Sequence, residues 1–317
     1  MTDSTLLIYI PTYNRYERLC EQLDLIIPHL NTYPVDIIIS NNASTDDRYK
    51  DLKEKYLNEK ITFIDNPTNL GANPNIFNGF LYALIYDYVW ILSDDDTITP
   101  TAIPGIMRRL DGQLDLIYIK LRTTSEHTEL YSINDLLDNL KYGLGLISCA
   151  VIRTSAIKSS VKVGYEYISS GFPHLAILFN ACINNKHLSV LEYPYTLILK
   201  TKAMDPPAES KHTYAQSIYG YITLADFIKN DKRRFDFIHE YLTKDFNLWS
   251  VVEFKQKYPE RYKNMKGYIL IRSPFLFCEF MIGCFLMSLL MFIWDNVSLH
   301  NRKRLKAIIY PCDYTKI

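Results

Sequence analysis

No C-x-x-C pair occurs anywhere in the sequence; the six cysteines, Cys20, Cys149, Cys182, Cys278, Cys284 and Cys312, are scattered along it. Such spacing argues against a zinc site or a disulfide framework and for buried, reduced thiols in a cytosolic protein. Charge of one sign is also missing. Thirty-five Lys and Arg balance 35 Asp and Glu, so no nucleic acid partner is expected, because its binders carry a basic excess or stripe. No G-x-x-x-x-G-K-S/T stretch is present. That absence weakens a nucleotidyl- or phosphotransferase reading built on a glycine-rich phosphate loop. The opening residues, MTDSTLLIYIPTYNR, lack the basic segment, apolar stretch and small-residue cleavage site of a secretory leader. There is no internal repeat and no low-complexity segment.

What is present over residues 5–120 is an alternation of short apolar runs with helix-like stretches. Strands are predicted at Leu6–Ile10, Val35–Ser40, Ile61–Asp65, Tyr88–Leu92 and Leu114–Ile119. Helices are predicted between them: Leu19, Leu23, Ile26, Ile27 and Leu30 recur at helical spacing, and Asp46-Asp47 opens a second helix reaching about Asn58. The pattern is that of an α/β protein with a mostly parallel, Rossmann-like sheet and flanking helices. At 317 residues the chain has room for one domain of roughly 200 to 250 residues plus an appendage.

The chemistry gathers at the predicted strand ends. Tyr88–Leu92 delivers three consecutive carboxylates, Asp94, Asp95 and Asp96, to one point, and three like charges need a counter-charge such as Mg²⁺ or Mn²⁺. The alternative is a solvated acidic turn capping the helix near Pro100. IPTYNR, Ile10 to Arg15, places Thr12, Tyr13 and Asn14 at the end of the first strand, either as ligand contacts or as an ordinary helix cap. SNNASTDD, Ser40 to Asp47, ends the second. After the third comes NPTNLGANPNIFNGF, where Gly71 allows a tight path and Gly79 offers a small-residue face that lets a helix lie close to the sheet. In open α/β sheets, ligands bind at the carboxyl ends of strands.

The order IPTYNR, NNASTD, NLGANPNIFNG, WILSDDD resembles the nucleotide-sugar glycosyltransferases of family 2, with the GT-A fold. The resemblance covers residues 5–120. It implies a nucleotide-sugar pocket formed by Pro11, Thr12, Tyr13, Arg15, Asn41, Asn69, Asn73, Asp94 and Asp95, with Asp94 and Asp96 as the metal-associated D-x-D holding Mg²⁺ or Mn²⁺. Family members commonly have Asp where Asn41 stands. Asn both donates and accepts, so the expected nucleotide is UDP on family frequency, with CDP or dTDP open. The implied reaction is sugar transfer with inversion to a glycan or lipid-linked acceptor in bacterial surface polysaccharide, lipopolysaccharide O-antigen or capsule. The rival reading is a non-catalytic nucleotide-sugar-binding or scaffold protein that keeps the fold.

Residues 121–210 are expected to form the acceptor half of a GT-A domain spanning 1–210. Many members carry a Glu-Asp pair near the helix predicted from Pro173, and this chain has Phe172-Pro173-His174 instead. The candidate catalytic residues are therefore His174 or Glu166 as base, with Asp96 at the metal. Residues 211–317 read as a helical appendage. Its apolar stretch 274–294 has Lys263, Lys266 and Arg272 before it and Arg302, Lys303, Arg304 and Lys306 after it. That flanking predicts a segment dipping into a membrane surface, and so a protein at the cytoplasmic face of the inner membrane.

Overall fold

A computed structural model describes residues 4–57, 60–119, 127–193, 198–200, 220–244 and 259–272, together with 255, 277–278, 280–282, 285–286 and 289. The chain divides into two compact units, Met1–Met204 and Asp205–Ile317.

The first unit begins with β1 (Leu6–Thr12), followed by α1 (Tyr16–Ile26), β2 (Val35–Asn41), α2 (Tyr49–Lys55) and β3 (Ile61–Asp65). Next come α3 (Ala72–Tyr82), β4 (Tyr88–Ile91), β5 (Asp96–Ile98), α4 (Ala102–Met107), β6 (Leu116–Ile119) and β7 (His127–Tyr131). The remaining strands are β8 (Ala150–Arg153), β9 (Leu188–Tyr193) and β10 (Ile198–Lys200). Eight strands form one sheet in the order β3-β2-β1-β4-β8-β6-β9-β7. β1 is parallel to β2 and β4, and β2 to β3. β8 runs antiparallel to both β4 and β6, while β6 and β9 are parallel. The sheet is therefore the mostly parallel one expected, opened in the middle by a reversed strand.

Leu6, Leu7, Ile8, Tyr9 and Ile10 are all buried, as are Tyr88, Val89, Trp90 and Ile91. Consecutive burial is what a parallel strand covered on both faces requires, and it is why these strands read as unbroken apolar runs. Gly79 sets how closely α3 approaches them: a Cβ there would lie 2.5 Å from Ile91 Cδ1 and 2.7 Å from Tyr9 Cδ1. The expected helix from Arg15 to Leu30 is shorter, ending at Ile26 before a 3₁₀ turn over Ile27–His29 that contains Pro28. The acidic run is not only a turn, because Asp96 starts β5, which pairs with β10. β7, which pairs antiparallel with β9, has no counterpart among the strands predicted from the sequence.

The second unit contains helices Asp231–Lys244 and Pro259–Arg272. Ile222, Ile238, Met265 and Ile269 are buried, and the Tyr268 hydroxyl donates to Asp226 at 2.9 Å. Within the appendage expected to be helical, residues 245–258 lie outside the described residues apart from position 255. Pro259 begins a helix, as a ring without N–H can in a first turn. Cys20, Cys149, Cys182 and Cys278 are free thiols, the first three buried.

Candidate functional site

β1, β2 and β4 are parallel and so end at the same edge of the sheet, where a cavity of about 340 Å³ opens. Pro11, Thr12, Tyr13, Arg15, Asn69 and Asp94, expected at the site, line it. So do Asn42, Asn75, Ile76, Ser93 and Ile147, which the sequence did not single out. Asn41, Asn73, Asp95, Asp96, Glu166 and His174 are not among its lining residues. Gly71 and Ala72 form part of the wall. Gly71 has φ 83° and precedes α3, whose N-terminus has no side-chain cap, so the helix presents uncompensated N–H groups beside the cavity.

Asp94 is 6% exposed. Its carboxylate accepts from Arg15 Nη1 at 2.9 Å and from the Tyr13 N–H at 3.3 Å. Burial raises the Asp94 pKa, and the positive charge of Arg15 and a hydrogen bond from Thr12 oppose the rise. The same Arg15 nitrogen lies 3.0 Å from Asp95 Oδ2. Arg15 thus joins the Asp94 and Asp95 carboxylates, while Asp96, which the sequence paired with Asp94, starts β5. Hard carboxylate oxygens beside a desolvated acid suit Mg²⁺ or Mn²⁺. Among the described residues no group of three or more His, Cys, Asp or Glu could hold a metal ion unaided. Such a site needs substrate phosphate oxygens to complete it, the usual way Mg²⁺ is held.

The tandem Asn41-Asn42, the last residue of β2 and the one after it, divides its work between two sets of partners. Asn42 spends its full capacity on the loop after β3: Nδ2 donates to Asn69 Oδ1 and the Gly71 carbonyl, and Oδ1 accepts from Asn66 Nδ2 and the Leu70 N–H. It shapes the cavity wall. Asn41 turns away, donating to Asp65 Oδ1 at 3.1 Å and accepting from the Ser44 N–H at 3.0 Å. Lys53 holds the Asp65 carboxyl below its ordinary range, with help from Asn41. An aspartate at 41 would set two carboxylates at that distance, a repulsion that asparagine avoids. Asn75, buried on α3, ties the floor together through Ser40 and Asn66. The sequence showed these asparagines but not the partners that assign their directions.

The candidate bases lie elsewhere. Glu166 ends the helix Val161–Glu166 with its carboxylate more than half exposed, 3.9 Å from Lys162. His174, in the helix Pro173–Asn185, is buried. Its Nε2 lies 3.0 Å from the Leu144 carbonyl, which only accepts, so Nε2 carries the proton and Nδ1 has no partner. Burial pushes the His174 pKa down to about 4. The ring is packed in the core and is not among the residues lining the cavity.

That depression makes stability depend on pH. The unfolded chain takes up the proton first, so the contribution of His174 to stability is full above pH 6.5 and is lost as pH falls toward 4. The loss is on the order of 3 kcal/mol. Thermal melts at pH 7 and pH 4.5 should show the wild type losing more Tm than His174→Gln; equal losses would mean the ring titrates normally.

Comparison with known proteins agrees with this geometry. Residues 7–157 match the family model of glycosyl transferase family 2. Abequosyltransferase RfbV of Salmonella typhimurium is 27% identical over 197 residues, covering 54% of this chain and 59% of its own length. The chain therefore matches less than two thirds of that relative. S. aureus TarS 1-349 in complex with UDP-GlcNAc superposes with a TM-score of 0.58 at 15% identity, over 84% of this chain and 81% of its own. Mannosyltransferase PcManGT from Pyrobaculum calidifontis, in complex with GDP-Man and Mn²⁺, gives 0.53 at 12% identity, over 90% and 81%. At such identities these likenesses show the fold, which is GT-A.

Proposed function

We propose, for a chain whose residues 7–157 belong to glycosyl transferase family 2, that it moves a sugar from a nucleoside diphosphate to an acceptor hydroxyl in bacterial surface polysaccharide synthesis. The observation that carries the reading is the pair of buried Asp94 with partly exposed Arg15 opening into a cavity at the carboxyl edge of parallel strands. A nucleoside diphosphate fits there because its phosphates are matched by Arg15 and the uncapped start of α3. Asp94 and Asp95 would hold Mg²⁺ or Mn²⁺, which when bound neutralises charge on the leaving diphosphate. Arg15 keeps the two carboxylates together, and the asparagine network holds the opposite wall in place. UDP is the first nucleotide to test, then CDP and dTDP. The likeness to an abequosyltransferase, over 54% of the chain, supports an O-antigen product.

The direct test is purified chain with Mn²⁺ and UDP-, CDP- and dTDP-sugars, assayed by thermal shift and by nucleotide release. One nucleotide is expected to stabilise the fold by about 3 kcal/mol at a hundredfold excess over Kd, with slow release of nucleoside diphosphate. Binding without any release, with acceptor extracts present, would favour the non-catalytic reading; absence of both would overturn the proposal.

A membrane surface is the second partner proposed. Within 274–294, Cys278, Ile282, Phe285, Leu286 and Leu289 are exposed at helical spacing, while Phe280 is buried 6.2 Å from the Tyr262 ring. No helix among the described residues is long and apolar enough to cross a bilayer. An apolar stripe with basic residues nearby suits the interface of an anionic leaflet, where a lipid-linked acceptor would lie. Phe285→Asp with Leu289→Asp should at least halve co-sedimentation with phosphatidylglycerol vesicles. Wild type that ignores such vesicles would sink the membrane reading.

A further inference from the structure

One face of α1 grips the acidic turn. Arg15, just before the helix, pairs with Asp94 and Asp95; one turn on, Arg18 Nη1 donates to the Asp95 carbonyl at 3.3 Å. Another turn on, Gln22 Nε2 gives hydrogens to the Ser93 carbonyl at 2.9 Å and the Asp96 carbonyl at 2.8 Å. Those carbonyls are the two ends of the Asp94-Asp95 turn, which is closed by a bond from the Asp96 N–H to the Ser93 oxygen at 3.2 Å.

Gln22 is 1% exposed and shares the buried side of α1 with Leu19, Leu23 and Ile26. A primary amide in such surroundings is unfavourable unless both its ends are bonded, yet Gln22 Oε1 has no partner. A methionine would fill the space without that penalty. The nitrogen is the half that is used, because it bridges two carbonyls belonging to one turn 71 and 74 residues away.

We propose that Gln22 is the positioning residue of the cation and diphosphate site: by fixing the two ends of the 93–96 turn it sets the directions of the Asp94 and Asp95 carboxylates without touching the ligand. This rests on the reading of the cavity as a nucleoside-diphosphate site. Loss of the bridge leaves the two ends joined only by their own 3.2 Å backbone bond, with Arg15 and Arg18 gripping the middle. The carboxylates then sample more orientations, and binding must order them at the expense of affinity.

The experiment is calorimetric titration of full-length wild type, Gln22→Met and Leu23→Ala with Mn²⁺ and UDP, or whichever of CDP and dTDP the wild type binds. Gln22→Met is expected to keep its Tm within a few degrees while its Kd weakens about tenfold. Leu23→Ala, a cavity variant on the same helix, should lose Tm with an unchanged Kd. Should Gln22→Met fail to fold, Gln22→Asn, which keeps the amide but shortens its reach by one methylene, gives the same comparison. A Kd within twofold of wild type in the folded Gln22 variant overturns the positioning role. Wild type that binds none of the three nucleotides with Mn²⁺ overturns the site reading itself, a different result.

Discussion

Asp94→Ala should lower sugar transfer by about 10²–10³-fold, the usual cost of removing one preorganised electrostatic group from an active site. Three contacts disappear together: the ion pair with Arg15, the bond from the Tyr13 N–H and the bond from Thr12. Arg15 then keeps Asp95, which is 41% exposed, so its charge is offset mainly in water. The fold should survive, because Asp94 sits at the end of β4 rather than within it and its burial already opposes ionisation. Asp94→Asn separates shape from charge. It keeps an oxygen for the Tyr13 N–H but presents no negative charge to Arg15 or to a cation, so it should lose nearly as much turnover as alanine. Steady-state kcat/KM in Mn²⁺ with circular dichroism as a control decides the matter. Wild-type turnover in either variant would remove Asp94 from the mechanism, and with it the observation that carries the proposed function.

Gly79→Val should produce the largest loss of stability, about 3 kcal/mol, or on the order of a 10 °C fall in Tm. The cause is overpacking. Even a single Cβ at this place meets Ile91 Cδ1, Tyr9 Cδ1 and Tyr9 Cγ, all within 2.8 Å. Tyr9 cannot swing aside freely, because its hydroxyl donates to the Asn75 carbonyl at 2.9 Å from the same helix. α3 would have to lift from β1 and β4. Since Asn75 and Ile76 line the cavity one turn earlier on that helix, ligand affinity should fall together with stability. Gly79→Ala should show the same effect at smaller size. A melt of Gly79→Val within two degrees of wild type would mean that the helix lies less tightly on the sheet than these distances indicate.

Much of this protein was legible in the sequence for one physical reason: a strand buried on both faces must be apolar without interruption. β1 and β4 announce themselves in that way, and β2 does so from Ile37 to Ile39; the polar residues that end each run must lie at the carboxyl edge. IPTYNR, NNASTD and the triple aspartate therefore marked, on the strength of the sequence alone, the edge at which the cavity opens. Glycine 79 was legible too, because only a missing side chain permits that approach of helix to sheet.

Only the tertiary structure could decide how those parts meet. β8 inserts antiparallel between β4 and β6, a pairing between segments about 60 and 35 residues apart that no local period encodes. The directions of Asn41 and Asn42 depend on partners in and after β3, and Asp94 is joined to Asp95 by Arg15, far earlier in the chain. His174 was singled out by its place in the chain, and only the fold shows that it is buried, with its pKa pushed down by that burial. Gln22 meets the two ends of the 93–96 turn only through the fold. A side chain's chemistry is set by the dielectric and the partners that folding brings to it, and those come from distant segments that local spacing does not record.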